Sequence, residues 1–497
     1  MKIHFLGAVE TVTGSCFLLQ AAGVTFLMEC GLFQGDDWVE AKNREPFAFD
    51  PGSVDFMILS HAHIDHSGRI PLLVREGFSG PVYCTKATAD LSDIMLRDSA
   101  NIQEFEARDA NERNKRRIKR EMRGRSARKE ALQELTEEVP LYTLEDAKKA
   151  LKQFRGIDYG ETFEPAPGVS VRFLESGHLL GSSIVEVWVT EKGDTTKLVY
   201  TGDLGRRYRP ILRDPATVDE ADILLLEATY GDRLHEKMED SEAAVKQILV
   251  ETLDRGGNVI IPSFAVGRTQ ELIYLFNQYS RQGGPVARAL DGTSIYVDSP
   301  MATSATEVFR RHPELFDEET KTLILSGITP LDFDKLDFTR TKNQSIALNY
   351  VEEAKIIISS SGMCEAGRIL HHLKHNLTDP DASIVMVGFQ APGTLGRQLR
   401  DGASSVELFG ETVPVLAQIH VLDGFSGHAD YEDLLEWLGA LKTPPRCMFL
   451  VHGEDSSKEA FAVRVQEELG WDCVKIPGRE QWDLQSPERK IEDGPSA

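Results

Sequence analysis

The 497-residue sequence lacks any apolar run long enough to cross a membrane, and its first residues do not follow a signal-peptide pattern. A membrane-spanning helix needs about 20 consecutive, mostly apolar residues. The opening stretch is instead a short apolar segment that ends at Gly7, which is typical of a first strand and turn. The expectations are therefore a soluble cytoplasmic protein and no membrane partner.

Cysteine is scarce, with six residues and no CxxC pair. A disulfide framework or a cysteine-based zinc site would require paired or regularly spaced cysteines. Scattered cysteines in such a chain are typical of small buried side chains. That interpretation covers Cys16, Cys30, Cys84, Cys364, Cys447 and Cys473.

Positive charge is also in deficit, because 55 Lys and Arg residues face 79 Asp and Glu residues, for a formal net charge of −24. An acidic balance argues against a nucleic-acid partner. Binding depends on the local field, however, and bound metal ions would add charge that the count omits. The exception is the strongly basic stretch 115–129, for which a solvated helix face and an arm that binds phosphates both stay open.

The pattern of apolar residues divides the chain into a β-rich first part and a later part in which strands and helices alternate. Chains longer than about 250–300 residues usually form more than one domain, and the alternation indicates a parallel sheet covered by helices. Ser241 is the expected N-cap of the first helix in the later part. Strands are predicted at 3–7, 23–28, 56–60, 169–174, 184–189, 198–201, 223–227, 258–261, 294–297, 354–359 and 447–451. Helices are predicted at 87–154, 244–253, 269–279, 366–376, 430–441 and 457–469.

The strongest chemical signal is the segment SHAHIDHSG at 60–68, which directly follows an apolar strand. It offers four candidate metal ligands within six positions: His61, His63, Asp65 and His66. Imidazole and carboxylate groups suit zinc. So dense a cluster on one turn predicts a metal site.

Three further candidates follow apolar strands elsewhere in the chain. His178 lies in SGHLLGS, Asp203 in TGDLG and His452 in LVHGE. Each of them alone is more often a residue that packs in a core or a turn. Together with the HxHxDH segment, they predict a centre for two metal ions.

The order of HxHxDH, an isolated His, a GD turn and a late His resembles the metallo-β-lactamase superfamily. Further segments resemble its β-CASP nucleases, namely LEATYG at 226–231, IPSFAVGR at 261–268, SGMCEAGR at 361–368 and FSGHAD at 425–430. This resemblance implies an α/β fold, in which an αββα metallo-β-lactamase sandwich carries an inserted β-CASP domain with a parallel sheet flanked by helices. The implied boundaries are 1–231 and 419–497 for the two parts of the metallo-β-lactamase domain and 232–418 for the β-CASP domain.

The resemblance also implies the metal ligands: His61, His63 and His178 bind one Zn²⁺, Asp65, His66 and His452 bind the other, and Asp203 bridges both. Two zinc ions are the expected cofactors, although the ligand chemistry leaves Mn²⁺ or Fe²⁺ open. The last ligand position is His in RNA-acting members of the family and often Val in DNA-acting ones. His452 therefore favours RNA.

Glu29 departs from the family pattern, because relatives usually carry Asp before the run CGLFQG. The resemblance places this residue behind a ligand histidine, which it would orient by a hydrogen bond. The longer side chain could shift that bond, and such changes cost about 10–100-fold in metal affinity or activity.

The implied reaction hydrolyses RNA phosphodiester bonds and leaves 5′-phosphate and 3′-hydroxyl ends. The metal ions would lower the pKa of a water to about 7 and neutralise the phosphate oxygens. His428 is the candidate general acid for the leaving 3′-oxygen, and Glu227 would hold and charge it. Asp65 and Asp203 complete the expected catalytic residues.

Glycine-rich turns that open helices can bind anions, because backbone N–H groups point outward there. On this basis the candidate substrate-binding residues are Arg268, Ser361, Gly362, Arg368 and His372. A surface or packing role stays open for His372, as for His235, His371 and His375. Only a packing role is expected for His4, His312 and His420.

Four functions compete, of which a metal-dependent ribonuclease with single-stranded RNA as its partner is the leading one. A thioesterase or lactonase on the same fold would not need the long stretch between Gly231 and His428. A catalytically silent RNA-binding subunit would have lost ligands, whereas every ligand position here is filled. A DNA-directed nuclease conflicts with His452. Endonuclease or 5′-exonuclease action, the RNA target and the oligomeric state, including a homodimer, stay open.

Overall fold

The structure is a computed structural model that describes residues 1–121, 135, 137–388, 390–391, 393–485 and 490–491. The chain forms two compact units. The first comprises Met1–Arg172, Val187–Thr196 and Pro477–Ala497, and the second comprises Phe173–Glu186 and Lys197–Ile476. The domain boundaries 1–231, 232–418 and 419–497 stay a prediction.

The strands, in chain order, are β1 Lys2–Gly7, β2 Cys16–Ala21, β3 Val24–Met28, β4 Phe56–Ile58, β5 Val82–Thr85, β6 Phe154–Ile157, β7 Thr162–Ala166, β8 Val169–Glu175, β9 Ser183–Glu191, β10 Asp194–Tyr200, β11 Ile223–Glu227, β12 Val259–Pro262, β13 Ser294–Val297, β14 Leu336–Phe338, β15 Lys355–Ser359, β16 Ser383–Met386, β17 Ser405–Leu408, β18 Glu411–Pro414, β19 Gln418–Val421, β20 Cys447–Val451, β21 Val474–Lys475, β22 Gln481–Asp483 and β23 Lys490–Ile491.

The α-helices are α1 Asp37–Ala41, α2 Ile64–Ser67, α3 Ile70–Arg75, α4 Lys86–Glu121, α5 Leu144–Leu151, α6 Met238–Asp254, α7 Arg268–Gln282, α8 Gly284–Asp291, α9 Pro300–Arg311, α10 Glu318–Leu325, α11 Lys342–Leu348, α12 Ile369–Asn376, α13 Leu395–Arg400, α14 Tyr431–Leu438 and α15 Asp455–Arg464. None of these helices is both long enough and apolar enough to span a membrane.

The first unit is built on an eight-stranded mixed sheet with the order β23-β22-β1-β2-β3-β4-β5-β6. Strands β1 to β3 pair antiparallel, whereas β3 to β6 pair in parallel. The rings of Phe26 and Phe56 stack between β3 and β4, with centroids 4.8 Å apart. Since β3 and β4 are parallel, their carboxyl ends meet at one edge of the sheet. Glu29 and the HxHxDH segment follow these two strands directly.

Helices α3, α4 and α5 pack together beside this sheet. Leu72 of α3, Leu96 of α4 and Ala147 of α5 share one buried apolar cluster. The described end of the basic stretch, residues 115–121, forms the last turns of α4. Most side chains of residues 115–120 are exposed. Positions 122–129 lie outside the described residues, so the role of the stretch stays open.

The second unit contains a parallel group of strands in the order β21-β20-β11-β10. All side chains of β11 and β20 are buried. Leu224 of β11 and Leu450 of β20 belong to an apolar cluster that also includes Phe461. In the register of the sheet, Glu227 pairs with Val451 at the carboxyl ends of the strands. The residues that follow these strands are therefore brought to one edge.

The predicted parallel sheet of the later part is present in the second unit. It has six strands in the order β14-β13-β15-β12-β16-β19, and each pairing is parallel. Its central strands β12 and β15 are fully buried, as apolar runs such as Ile356-Ile357-Ile358 predict. Helix α12 packs on it through Ile369 and Leu373.

Several predicted elements have different bounds in the structure. Ser241 is not an N-cap, because α6 already begins at Met238, and the buried Ser241 hydroxyl donates to Glu236 and accepts from the Gly424 N–H. The helix predicted at 366–376 begins only at Ile369, because residues 362–367 form turns. The described part of the stretch 87–154 contains α4 and α5, and the stretch ends in strand β6. The cysteines are free, and all but the partly exposed Cys473 are buried, so that prediction is confirmed.

Candidate metal centre

Strand β4 brings the HxHxDH segment to the edge of the sheet in the first unit. The four ligand candidates lie on the turn after Ile58 and in the one-turn helix α2. His61 Nε2 lies 3.1 Å from His63 Nδ1, and His66 Nε2 lies 3.7 Å from Asp65 Oδ2. His61 and His66 are fully buried. The segment thus brings its predicted ligands together in two pairs.

Glu29 holds this segment from behind. Its Oε1 accepts a hydrogen bond from the Ser60 N–H at 2.7 Å, and its Oε2 lies 3.2 Å from His66 Nδ1. The Ser60 hydroxyl lies 3.0 Å from His61 Nδ1. One nitrogen of each of these two rings is therefore fixed, which sets the direction of the other.

The Glu29 carboxylate is fully buried. Burial raises the pKa of this carboxyl, and contacts with His66 and Ser60 oppose that rise only in part. Its backbone has a φ of +65°, a value that non-glycine residues seldom adopt. The surrounding turn therefore fixes both the backbone and the side chain of Glu29.

Gly31 lets two turns approach closely beside the ligand segment. A β-carbon at this position would lie 1.6 Å from the Asp65 carbonyl oxygen. The neighbouring Cys30 N–H donates to the His66 carbonyl at 2.8 Å. Any larger residue at position 31 would displace Asp65 and His66. This close approach explains why the run CGLFQG has a glycine at that position.

Asp203 is the central carboxylate of the second unit, and it is almost fully buried. Its Oδ2 lies 3.6 Å from His178 Nε2, and its Oδ1 lies 3.6 Å from His452 Nε2. The opposite nitrogen of each ring is also held. His178 Nδ1 lies 3.0 Å from the Gly427 carbonyl, and His452 Nδ1 lies 3.0 Å from the Thr229 hydroxyl.

These donor sets fit a divalent metal ion. Separations of 3.6 Å exceed the usual hydrogen-bond length, but they suit two donors that each lie about 2.0–2.2 Å from one ion. Imidazole rings held at their outer nitrogen are typical of metal ligands. Asp203 offers one oxygen to each of two histidines, which is the arrangement that a bridging carboxylate requires.

Glu227 and His428 form a second pair in the same unit. His428 Nδ1 lies 3.2 Å from Glu227 Oε1 and 3.9 Å from Asp203 Oδ2. Glu227 is fully buried, and it accepts hydrogen bonds from the Leu204 N–H and the Thr229 hydroxyl. Its position is therefore fixed, and it orients the more exposed His428 ring.

Arg209 supports the backbone beside His428. Its guanidinium donates to the Gly427 carbonyl at 2.9 Å and to the His178 carbonyl at 3.3 Å. The same group is ion-paired with the buried Glu271, which also binds Arg268. Arg209 thus connects helix α7 to the loops that carry His178 and His428.

Of the candidate substrate-binding residues, Arg268 and His372 are buried within the second unit. Burial lowers the pKa of Arg268 to about 10, although the charge of Glu271 opposes that shift. His372 Nε2 lies 2.6 Å from Asp298 Oδ2, and its Nδ1 lies 3.0 Å from Asn349 Oδ1. Both ring nitrogens of His372 are thus engaged by protein groups, which corresponds to the packing role that the sequence left open.

The other three candidates lie around the turn that precedes α12. Arg368 is partly exposed and donates to Asp298 Oδ1 at 2.6 Å. The Ser361 hydroxyl accepts from the Glu365 N–H at 3.0 Å. A β-carbon on Gly362 would lie 3.0 Å from the Phe264 ring.

Asp298 was missed by the sequence analysis, although it holds much of this region. The fully buried carboxylate accepts hydrogen bonds from Thr339, Ser345 and Arg368, and it contacts His372. Its position directly after β13 in VDSP is the signal that could have identified it. Arg209 lies in a loop, and no sequence pattern distinguishes it from its neighbours Arg206 and Arg207.

Comparison with known families identifies three regions in the chain. Residues 18–225 match the metallo-beta-lactamase superfamily domain, and residues 269–399 match the Beta-Casp domain. Residues 412–477 match the Zn-dependent metallo-hydrolase RNA specificity domain. The third region contains both His428 and His452.

Curated relatives match over nearly the whole chain. Ribonuclease TTHA0252 of Thermus thermophilus is 38% identical over 471 residues, which cover 94% of this chain and 97% of the relative. Transcription termination factor FttA of Methanocaldococcus jannaschii is 31% identical over 476 residues, covering 94% of this chain and 69% of the relative. An RNase J-like protein of the same organism is 29% identical over 478 residues, covering 96% of each chain.

We predict that Glu29→Ala weakens metal binding by about 10–100-fold, because His66 loses the group that fixes its ring. Competition with a chromophoric chelator measures the affinity. Glu10→Ala, which removes an exposed carboxylate of the same unit, is the matched control and should bind metal like the wild type. Equal affinities for both variants would contradict the role given to Glu29.

We predict that Asp298→Asn lowers the free energy of unfolding at pH 7 by about 3–5 kcal/mol, because it leaves the buried partners of Asp298 uncompensated. Burial alone would raise the pKa of Asp298, but the hydrogen bonds from His372, Ser345, Thr339 and Arg368 hold it well below its usual range. A lowered pKa stabilises the fold above the unfolded value of about 3.9, and this contribution is lost as the pH falls further.

The difference between wild type and Asp298→Asn should therefore be constant from pH 7 to pH 5 and shrink below about pH 4. Urea unfolding at pH 7, 5 and 3.5 measures it, with Asp337→Asn, an exposed aspartate on β14, as the control. A difference that grows as the pH falls would show that Asp298 is not a stabilising carboxylate.

Proposed function

The chain belongs to the β-CASP family of the metallo-β-lactamase superfamily, and from this membership we propose that it is a metal-dependent ribonuclease. The observation that carries the proposal is the buried Glu227, which holds His428 beside Asp203 and His452. Metal-dependent hydrolysis of a phosphodiester requires a general acid next to groups that can bind metal ions. The match to an RNA specificity domain over residues 412–477 supports RNA as the substrate.

We propose that His61, His63 and His178 would hold one metal ion, that Asp65, His66 and His452 would hold the other, and that Asp203 would contribute its carboxylate to both. Zinc is the proposed metal, because imidazole and carboxylate donors suit it. Mn²⁺ or Fe²⁺ are the alternatives that metal analysis distinguishes. When bound, the two ions supply a water of lowered pKa and positive charge opposite the phosphate oxygens.

His428 donates the proton that the leaving 3′-oxygen needs. Because its Nδ1 faces Glu227, its Nε2 is the nitrogen that we assign to the donation. Glu227 would hold the ring in this orientation. Cleavage of the bond between phosphorus and the 3′-oxygen leaves a 3′-hydroxyl on one product and a 5′-phosphate on the other.

The test is cleavage of 5′-labelled single-stranded RNA and of DNA with the same sequence, by metal-loaded wild type and by His63→Ala. We expect the wild type to cut RNA and to leave DNA intact. The cleavage rate of His63→Ala should be lower by at least about 100-fold, because the variant lacks a proposed metal ligand. The fragment ladder separates internal cleavage from cleavage that starts at the 5′ end. If the wild type binds RNA without cutting it, the result favours an RNA-binding subunit. If it cuts DNA as fast as RNA, the result favours a nuclease that acts on both.

We also predict that Arg209→Lys lowers kcat by about 10–100-fold at saturating metal, while KM changes little. Lysine keeps the charge but not the fork, in which Nη1 donates to both carbonyls while Nη2 binds Glu271. Small displacements of a catalytic group are costly. Arg207→Lys, which alters an exposed ion pair with Glu436, is the control. Equal losses in both variants would contradict a positioning role for Arg209.

A further inference from the structure

Phe264 is an exposed aromatic side chain in a segment whose other residues are buried. It lies between β12 and α7, and 42% of its surface is exposed, whereas its neighbours Ser263 and Ala265 are almost fully buried. A large part of this ring is therefore accessible from solvent.

Two glycines lie close to one edge of this ring. A β-carbon on Gly362 would lie 3.0 Å from Phe264, and one on Gly388 would lie 3.5 Å from it. The absence of a side chain at both positions therefore leaves room for the ring. An aromatic ring that is accessible from solvent is a suitable surface for stacking a nucleobase.

A small cavity adjoins this ring through Gly388. Its wall contains two arginines and further polar groups, and its residues are Tyr230, Arg233, Leu234, His235, Gly388, Arg400, Asp423 and Ser426. Arg400 is ion-paired with Asp423, and Arg233 with Asp232. The side-chain nitrogen Nε2 of His235 is buried and has no hydrogen-bond partner among the described residues. A phosphate group would give both arginines a further acceptor.

The cavity also adjoins the catalytic pair. The rings of Tyr230 and His428 have centroids 6.1 Å apart, and those of Tyr230 and His235 have centroids 4.4 Å apart. The Ser426 hydroxyl lies 3.4 Å from the backbone nitrogen of His428. A strand bound in the cavity would therefore lie next to the proposed proton donor.

We propose that Phe264 and this cavity form a nucleotide subsite, in which one RNA base stacks on Phe264 and a neighbouring backbone phosphate binds between Arg233 and Arg400. The subsite rests on the proposed function, because it assumes an RNA strand that passes His428. The apolar ring and the two arginines provide the two kinds of contact that bind single strands without reading their sequence.

The first test compares RNA binding by Phe264→Ala, Phe264→Leu and Phe264→Trp. Binding of a labelled single-stranded RNA 12-mer to the full, metal-loaded chain is measured by fluorescence anisotropy, with every variant in a His428→Gln background to slow cleavage. We expect Kd to rise about 5- to 100-fold for Ala and Leu and to stay near the parent value for Trp. Tyr350→Ala, which removes another exposed aromatic residue of the same unit, should bind like the parent.

The second test places single abasic nucleotides along the same 12-mer. Removal of the stacked base should weaken binding by the parent protein at one position. The same removal should have no further effect on Phe264→Ala, because the partner of the base is already absent. If no position shows this loss of additivity, the assignment of Phe264 is wrong.

The third test changes the arginines. Arg400→Gln should weaken binding and lower the slope of log Kd against log salt concentration by about 0.7, the value for one phosphate contact on a single strand. Arg281→Gln, which removes an exposed charge at the end of α7, should leave the slope at that of the parent. An unchanged slope for both variants would overturn the phosphate site.

Failure of the subsite and failure of the ribonuclease proposal give different results. If the wild type cuts RNA but Phe264→Ala and Arg400→Gln bind like their parent, the subsite is wrong and the ribonuclease stands. If the wild type does not cut RNA but the variants lose binding as expected, the subsite stands and the ribonuclease is wrong. Absence of RNA binding by the parent overturns the subsite as well.

Discussion

The parallel pairing of β10, β11 and β20 is the constraint on which the proposed chemistry of the second unit depends. Parallel strands bring their carboxyl ends to the same edge of a sheet, so the residues that follow them become neighbours. Asp203 follows β10, Glu227 ends β11, and His452 follows β20. A slip of register by one residue would turn every side chain of a strand to the other face.

Buried carboxylates then fix the functional side chains in place. Glu29, Glu227, Glu271 and Asp298 are each almost fully buried, and an isolated buried carboxylate would be costly. Each of them instead contacts at least two polar groups, which satisfies its oxygens and fixes the orientation of its partners. The rigid parts of both units therefore lie behind the groups that we assign to metal and substrate.

The sequence predicted the local features better than the long-range ones. The HxHxDH segment, the GD turn around Asp203 and the strand before His452 were visible because each combines an apolar run with polar residues directly after it. The strands at 223–227, 294–297 and 447–451 have the predicted bounds for the same reason. The contact between His372 and Asp298 joins residues 74 positions apart, so a pattern of neighbours could not show that His372 is enclosed. Arg209 was likewise invisible, because its role comes from carbonyls on two other loops.

The pairing of Glu227 with His428 spans 201 positions, and the whole six-stranded sheet lies between them. A chain under synthesis on the ribosome therefore carries the carboxylate long before its histidine partner exists. The proposed proton donor can be positioned only after the intervening segment has been made. The order of synthesis thus delays the assembly of this pair, and with it the proposed nuclease activity, while the nascent chain is still close to the messenger RNA that encodes it.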